Sequence, residues 1–208
     1  MTIIFDLDHT LFRTNLFKKD LFDIFYNMKI EKNVVNQTYN EHCKKESGGA
    51  YDFKKHCSKI EKEIDCFDKT AALVGFSEFV ELTDFSKYIE RNCIRFLKKQ
   101  KKLGNKLILL TKGGEEIQRI KFEKTGLAEF FDEFLICKNN KFQELNKMKL
   151  GRGDYFVNDL FSEIIETMEL FPKVTFVMLD LNRKKLPGDK ISFLGGVEAI
   201  NSIDLLKI

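Results

Sequence analysis

The chain has 208 residues, of which 43% are hydrophobic and 32% charged, and its formal net charge is +3. This size allows one large domain or a core with an insert, and the charge is too balanced for a nucleic-acid-binding protein. The five cysteines form no CxxC pair, which argues against a zinc or redox site. No stretch approaches the ~20 apolar residues of a membrane span. Because the first apolar stretch is also too short for a signal peptide, we expect a cytoplasmic protein.

Five short hydrophobic runs are predicted to form the strands of one sheet. Each run is nearly continuously apolar, which is typical of parallel strands that are covered by helices on both faces. Helical patterns separate the runs from about residue 104 onward. This alternation predicts an α/β fold with a Rossmann-like, doubly wound parallel sheet, and a weaker run at Ile191–Leu194 is predicted to add an edge strand. The five runs are Thr2–Phe5, Lys106–Leu110, Glu133–Cys137, Asp154–Val157 and Val174–Leu179.

The segment between the first two runs breaks this alternation. Residues 13–100 are charged, contain no convincing strand, and carry apolar residues at helical spacing. We therefore predict a helical domain at residues 13–100, inserted after the first strand. Residues 1–12 and 101–208 are predicted to form the α/β core domain.

Polar residues follow four of the predicted strands, at the edge where an open α/β sheet binds its ligands. Acidic residues there suit Mg²⁺, which takes a few carboxylates together with substrate oxygens. A hydroxyl and free backbone amides at a helix start can cradle a phosphate, and a lysine can neutralise a transferring phosphoryl group. An aspartate can attack phosphorus, and a second carboxylate can protonate the leaving group. These residues are Asp6, Asp8, Thr111, Lys112, Gly113, Lys138, Lys141, Asn158, Asp159 and Glu163.

The stretch FDLDHTL, the later LLTKGG, a lysine and a late acidic pair together resemble the haloacid dehalogenase (HAD) superfamily. The resemblance implies that Asp6 is the nucleophile, Asp8 the general acid and base, and Thr111 the phosphate-binding hydroxyl. It also implies Mg²⁺ as cofactor, held by Asp6, by the backbone carbonyl of Asp8 and by Asp159. The insert at residues 13–100 resembles the helical C1 cap of this superfamily.

Two assignments stay open at the level of the sequence. The lysine of the family pattern corresponds to Lys138 or Lys141, and we favour Lys141 because a helical pattern follows it directly. The third protein ligand of the metal is Asp159 or Asn158, and we favour Asp159 because hard cations prefer charged oxygen. Glu163 is interpreted as an acid on a helix surface.

The sequence therefore predicts a Mg²⁺-dependent phosphatase that hydrolyses a small phosphomonoester through an aspartyl-phosphate. Lys112, Gly113 and Lys141 are predicted to bind the phosphate together with Thr111. A phosphomutase of the same fold and a non-catalytic phospho-ligand binding or regulatory protein are the alternatives. A dehalogenase is disfavoured, because cleavage of a carbon–halogen bond needs neither a leaving-group acid nor Mg²⁺. We expect a small phosphorylated molecule as the partner, with no nucleic acid and no membrane, and the oligomeric state is not predicted.

Overall fold

The computed structural model of the protein describes residues 1–137, 140–179 and 197–200, together with Ile203 and Leu206. The chain divides into two compact units. The first unit comprises Met1–Arg13, Ile89–Thr111 and Leu127–Ile208, and the second comprises Thr14–Tyr88 and Lys112–Gly126.

The first unit is built on a six-stranded sheet in the order β3-β2-β1-β4-β5-β6. The four strand pairs whose register is described are all parallel, which confirms the predicted Rossmann-like α/β class. In the register, Phe5 lies beside Leu109 on one side and Val157 on the other. The strands are β1 (Thr2–Phe5), β2 (Lys106–Lys112), β3 (Glu133–Cys137), β4 (Tyr155–Asn158), β5 (Thr175–Leu179) and β6 (Val197–Ile200).

The strand order places a crevice between β1 and β4. The chain builds outward from β1 through β2 and β3, and then returns to the other side of β1 with β4. Connections therefore leave β1 and β4 in opposite directions, and this opens a crevice at their carboxyl ends where α/β proteins bind ligands. Asp6 directly follows β1, and Asn158 is the last residue of β4.

The bounds of two strands differ from the prediction: β2 and β4 each extend further toward the site, β4 as far as Asn158. Strand β2 extends to Lys112, so Thr111 lies inside the strand instead of after it. Strand β4 begins one residue later than predicted, and the carboxylate of Asp154 just before it accepts hydrogen bonds from the amides of Thr2 (2.7 Å) and Gly151 (2.9 Å). The predicted edge strand at Ile191–Leu194 lies outside the described residues.

Helices of the first unit cover a sheet core that is almost entirely apolar. They are α5 (Cys93–Lys102), α7 (Phe142–Leu145) and α8 (Phe161–Met168), with a 3₁₀ turn at Leu127–Glu129. Ile164 of α8 is completely buried within this core, so one face of α8 is held against the sheet. The sheet contributes the buried side chains Ile4, Ile108, Leu110, Phe156, Phe176 and Met178.

The second unit is helical apart from Lys112, the end of β2. Phe53 stacks between Phe25 and Phe76, with ring centroids 5.1 Å and 4.4 Å apart, so aromatic packing holds three of its helices together. Asp52 caps the helix that follows it by accepting a hydrogen bond from the Lys55 amide. The helices are α1 (Thr14–Asn27), α2 (Lys32–Tyr39), α3 (Phe53–Glu63), α4 (Lys69–Leu82) and α6 (Glu115–Lys124), with a π-helical turn at Asn40–Glu46 and a 3₁₀ turn at Phe85–Tyr88.

The second unit contains most of the predicted insert and also α6, while α5 belongs to the first unit. The interpretation of residues 13–100 as a cap domain stays a prediction. Within the described parts of the chain, none of the helices has the length and apolar character required to cross a membrane.

Candidate active site

Asp6 is held in a buried position at the carboxyl end of β1. Its amide donates a hydrogen bond to the carbonyl of Val157 in β4 (2.9 Å), so the pairing of the two strands continues to this residue. Beyond it, the amides of Leu11 and Phe12 both donate to the Leu7 carbonyl, which closes a tight turn. His9 in this turn has a φ of +61°, a left-handed conformation that glycine adopts more easily. The Asp6 residue is only 5% exposed.

Lys141 is the partner of this buried carboxylate. Its Nζ lies 2.6 Å from Oδ1 of Asp6 and 2.7 Å from Oε2 of Glu163, so one ammonium bridges two carboxylates. Lys141 occupies the N-cap position of α7, and its side chain is 4% exposed. The structure therefore brings Lys141 to Asp6, whereas Lys138 lies outside the described residues.

The sequence-based interpretation of Glu163 as a helix-surface acid is wrong. Glu163 lies in the first turn of α8, and its side chain is only 21% exposed because it faces Lys141. The same Oε2 also accepts a hydrogen bond from Nδ2 of Asn158 (2.8 Å). The one signal for this role in the sequence is the spacing, since Glu163 follows Asp159 by four residues.

Asn158 uses both ends of its amide within the protein. Its Nδ2 donates to Glu163, and its Oδ1 accepts a hydrogen bond from the Leu160 amide (3.2 Å). The residue is completely buried. These contacts favour the neighbouring Asp159 over Asn158 as the residue with an oxygen for a metal.

The surroundings of Asp6 raise its pKa to about 7, well above its ordinary value of 3.8. Burial is the main cause, because it removes water from the charged form of the carboxylate. The ammonium of Lys141 lowers the pKa, and the negative charges of Asp8 and Asp159 raise it. Asp8 and Asp159 are thus close enough to Asp6 for mutual repulsion, as the motif predicts.

The pKa of Lys141 moves in the opposite direction to that of an isolated buried lysine. Burial alone lowers it, but the carboxylates of Asp6 and Glu163 raise it above the ordinary value for lysine. Lys141 is therefore a permanent cation in the site. Two carboxylates, Asp6 and Glu163, contact this one ammonium, and the charges of Asp8 and Asp159 act on Asp6 as well.

The donor atoms at this end of the sheet suit Mg²⁺. The carboxylates of Asp6 and Asp159 and the backbone carbonyl of Asp8 are hard oxygens. A divalent cation would offset the repulsion from Asp8 and Asp159, which adds to burial in raising the pKa of Asp6. Among the described residues, no three His, Cys, Asp or Glu side chains form a group that could hold a metal ion. The resemblance implies a ligand set with only two carboxylate side chains, those of Asp6 and Asp159, because Asp8 contributes its backbone carbonyl.

The predicted phosphate-binding residues are divided between the two units. Thr111 is completely buried in β2 and belongs to the first unit, two residues beyond the partner of Phe5. Lys112 and Gly113 belong to the second unit, where Nε2 of Gln118 donates to the Lys112 carbonyl (2.9 Å). Gly114 is the N-cap of α6, so the predicted helix start after the glycines is confirmed.

The fold is that of the haloacid dehalogenase-like hydrolases. No family model matches this sequence, and no curated protein matches it. Solved structures do: a haloacid dehalogenase-like hydrolase from Burkholderia xenovorans LB400 has a TM-score of 0.67 at 17% identity, over 86% of this chain and 81% of that chain. The HAD-hydrolase YfnB from Bacillus subtilis, bound to magnesium, has a TM-score of 0.66 at 11% identity, over 98% and 95%.

A β-phosphoglucomutase from Thermotoga maritima also shares the fold, with a TM-score of 0.58 at 15% identity, over 96% of this chain and 93% of that chain. Dehalogenases are among the similar structures as well. The superfamily resemblance stated from the sequence is thus confirmed for the fold. At these identities the likeness shows the fold alone.

Proposed function

We propose that this protein is a Mg²⁺-dependent phosphatase that hydrolyses a small phosphomonoester through an aspartyl-phosphate. One observation carries the proposal: the buried carboxylate of Asp6 is held by Lys141 at 2.6 Å, while the charges of Asp8 and Asp159 act on it from nearby. A nucleophile, a cation and further acids thus meet at one strand end, which is the set of groups that phosphoryl transfer requires.

Asp6 acts as the nucleophile. A carboxylate oxygen of Asp6 attacks phosphorus, the bond from phosphorus to the ester oxygen breaks, and an acyl phosphate forms on Asp6. Lys141 keeps the attacking carboxylate in place and lowers its pKa, which favours the ionised form. In the next step, water attacks phosphorus, releases inorganic phosphate and regenerates Asp6.

Asp8 is the proton donor and acceptor of the two steps. It lies two residues beyond the nucleophile and is less buried than Asp6. In the first half-reaction it gives its proton to the leaving oxygen, and in the second it takes one from the attacking water. A dehalogenase has no use for this group, because a halide leaves without a proton. Asp8 therefore supports the phosphatase over the dehalogenases that share the fold.

Mg²⁺ would be held by Asp6, Asp159 and the Asp8 carbonyl. When bound, it supplies positive charge that stabilises the phosphoryl oxygens in the transition state. Thr111 and the amides of Lys112 and Gly113 would bind the phosphate, and Lys141 would balance its charge. YfnB, which shares the fold, is described as bound to magnesium, and this supports the choice of cation.

Hydrolysis of para-nitrophenyl phosphate tests the proposal. We would compare the protein with Mg²⁺, the protein with EDTA, and the Asp6→Asn variant. Asp154→Asn is a matched control, because it makes the same change in a carboxylate that binds backbone amides before β4. We expect activity with Mg²⁺ in the wild type and in the control, and none with EDTA or in Asp6→Asn.

Appreciable hydrolysis by Asp6→Asn would overturn the mechanism. If the wild type hydrolyses neither this ester nor any of a panel of sugar, nucleotide and cofactor phosphates, the proposal fails in favour of its alternatives. Conversion of one sugar phosphate isomer to another would identify a phosphomutase. Phosphate-ester binding without turnover would identify a phospho-ligand binding protein.

A further inference from the structure

Asn158 connects the end of strand β4 to helix α8 through its side chain. Its Nδ2 donates to Oε2 of Glu163 (2.8 Å), and its Oδ1 accepts from the amide of Leu160 (3.2 Å). A backbone N–H can only donate, so the atom that faces Leu160 must be the amide oxygen. The NH₂ group of Asn158 therefore points at Glu163, and its orientation is fixed by the main chain.

Glu163 links Asn158 to Lys141 through hydrogen bonds. A single oxygen, Oε2, accepts from both Asn158 and Lys141, at 2.8 Å and 2.7 Å. Asn158 is completely buried, whereas the Glu163 side chain is 21% exposed and has a long, flexible stem. The hydrogen bond from Asn158 therefore ties a partly exposed carboxylate to a buried residue of the sheet.

We propose that Asn158 is a positioning residue that fixes the ammonium of Lys141 against Asp6, acting through Glu163. The inference rests on the proposed function, because it assigns the contact between Lys141 and Asp6 a part in turnover. Nζ of Lys141 forms ion pairs with two carboxylates, Oδ1 of Asp6 at 2.6 Å and Oε2 of Glu163 at 2.7 Å. Asn158 ties Glu163 to the end of β4 and so holds the second of these carboxylates in place.

Removal of the anchor is expected to lower the rate of the chemical step. Asn158→Ala should reduce kcat by ~10–100-fold, the range seen when a residue that orients a catalytic group is lost. KM should change little, because Asn158 itself does not contact the substrate. A merely structural role would instead lower the melting temperature and leave kcat of the folded protein unchanged.

A double-mutant cycle tests whether Asn158 acts through Glu163. We would measure kcat for Asn158→Ala, Glu163→Ala and the double variant, with Asp154→Asn as a control at the opposite end of β4. We expect kcat of the double variant to lie within about twofold of kcat of Glu163→Ala, because both changes break the same chain of contacts. Multiplicative losses, or an unchanged kcat in Asn158→Ala, would overturn the proposal.

A second measurement is independent of turnover. The Lys141 ammonium can be observed by ¹⁵N NMR of the lysine-labelled protein and assigned with Lys141→Arg. We expect a protected signal in the wild type and in Asp154→Asn, and faster hydrogen exchange in Asn158→Ala. An unchanged Lys141 signal would overturn the positioning role. If the signal changes but the wild-type protein hydrolyses no ester, the positioning role of Asn158 stands and the proposed phosphatase activity is rejected.

Asn158→Asp is a second variant for the same test, in case Asn158→Ala does not fold. Aspartate keeps the size of the side chain and the acceptor for Leu160, but it replaces the donor to Glu163 with a carboxylate. Repulsion between the two carboxylates should displace Glu163, so we expect the same loss of kcat and the same faster exchange at Lys141. Wild-type kcat and exchange in this variant would overturn the proposal.

Discussion

Nζ of Lys141 lies 2.6 Å from Oδ1 of Asp6, although the two residues are 135 positions apart in the chain. Their side chains are only 4% and 7% exposed. A buried pair of this kind contributes little when intact, but the loss of one partner leaves the other charge without compensation. Asp6 is the more sensitive of the two, because Asp8 and Asp159 already repel its charge.

Replacement of Lys141 should therefore disable Asp6, the proposed nucleophile. In Lys141→Met the pKa of Asp6 should rise further above 7, since the ammonium that lowers it is gone and burial remains. We expect kcat/KM for para-nitrophenyl phosphate to fall by at least ~100-fold, from loss of the ionised nucleophile and of transition-state charge stabilisation. Lys147→Met is the control, because Lys147 is 70% exposed and pairs with Glu144 outside the site. Retention of a tenth of wild-type activity in Lys141→Met would contradict the assigned role.

The raised pKa of Asp6 also predicts how stability depends on pH in the metal-free protein. Between pH ~4 and ~7 the folded protein keeps a proton on Asp6 that the unfolded chain releases. Wild-type stability should thus decline as the pH rises through this window, and Asp6→Asn should not share that decline. We expect the stability of Asp6→Asn relative to wild type to increase from pH 4.5 to 8, measured by urea unfolding in EDTA. Parallel curves for the two proteins would refute this prediction.

His56 makes the opposite contribution in the second unit. It is completely buried, and its Nδ1 lies 2.8 Å from the Tyr51 hydroxyl while Nε2 lies 3.1 Å from the Val35 carbonyl. The neutral ring with its proton on Nε2 satisfies both contacts, because Tyr51 can donate to Nδ1. Burial lowers the pKa of His56 to about 4, from an ordinary value of 6.5.

The unfolded chain therefore binds a proton at His56 before the folded protein does as the pH falls from 6.5 to 4. The stability supplied by neutral His56 is complete above pH ~6.5, and roughly 3 kcal/mol of it should be lost across this window. Urea unfolding at several pH values should show that loss in the wild type and a flatter profile in His56→Gln. An NMR titration in which His56 protonates above pH 6 would contradict the prediction.

Gly114 should tolerate no side chain. A Cβ at this position would lie 2.0 Å from the carbonyl oxygen of Tyr51. The Cβ is bonded to the main chain and the oxygen is part of it, so the clash can be relieved only if the backbone moves. We expect Gly114→Ala to reduce the free energy of unfolding by about 2 kcal/mol or more, as overpacking does. Gly151→Ala is the matched control, since no atom lies within 4 Å of its added Cβ. Equal melting temperatures for the two variants would contradict the prediction and would show that the backbone around Tyr51 can move at little cost.

The sequence alone determined the fold class and the place of Asp6 and Asp8 in the fold. Near-continuous apolar runs such as Thr2–Phe5 can be buried only if helices cover both faces of the sheet, so the pattern specifies a parallel α/β architecture. Asp6 and Asp8 follow such a run directly, and the carboxyl ends of parallel strands meet at one edge of the sheet. Their place at the carboxyl edge of the sheet could therefore be predicted from their position in the chain.

Only the tertiary structure decided which distant side chains meet Asp6. Lys141 contacts it and is held by Glu163, which the sequence indicated to be a surface acid. The amide of Asn158 could have faced a metal, but the structure commits it to Glu163 and Leu160. Local patterns report burial and helix or strand periodicity, whereas these contacts depend on the register of β4 beside β1 and on the rotation of α8 against the sheet. Packing across the whole core sets both, and no short stretch of sequence records it.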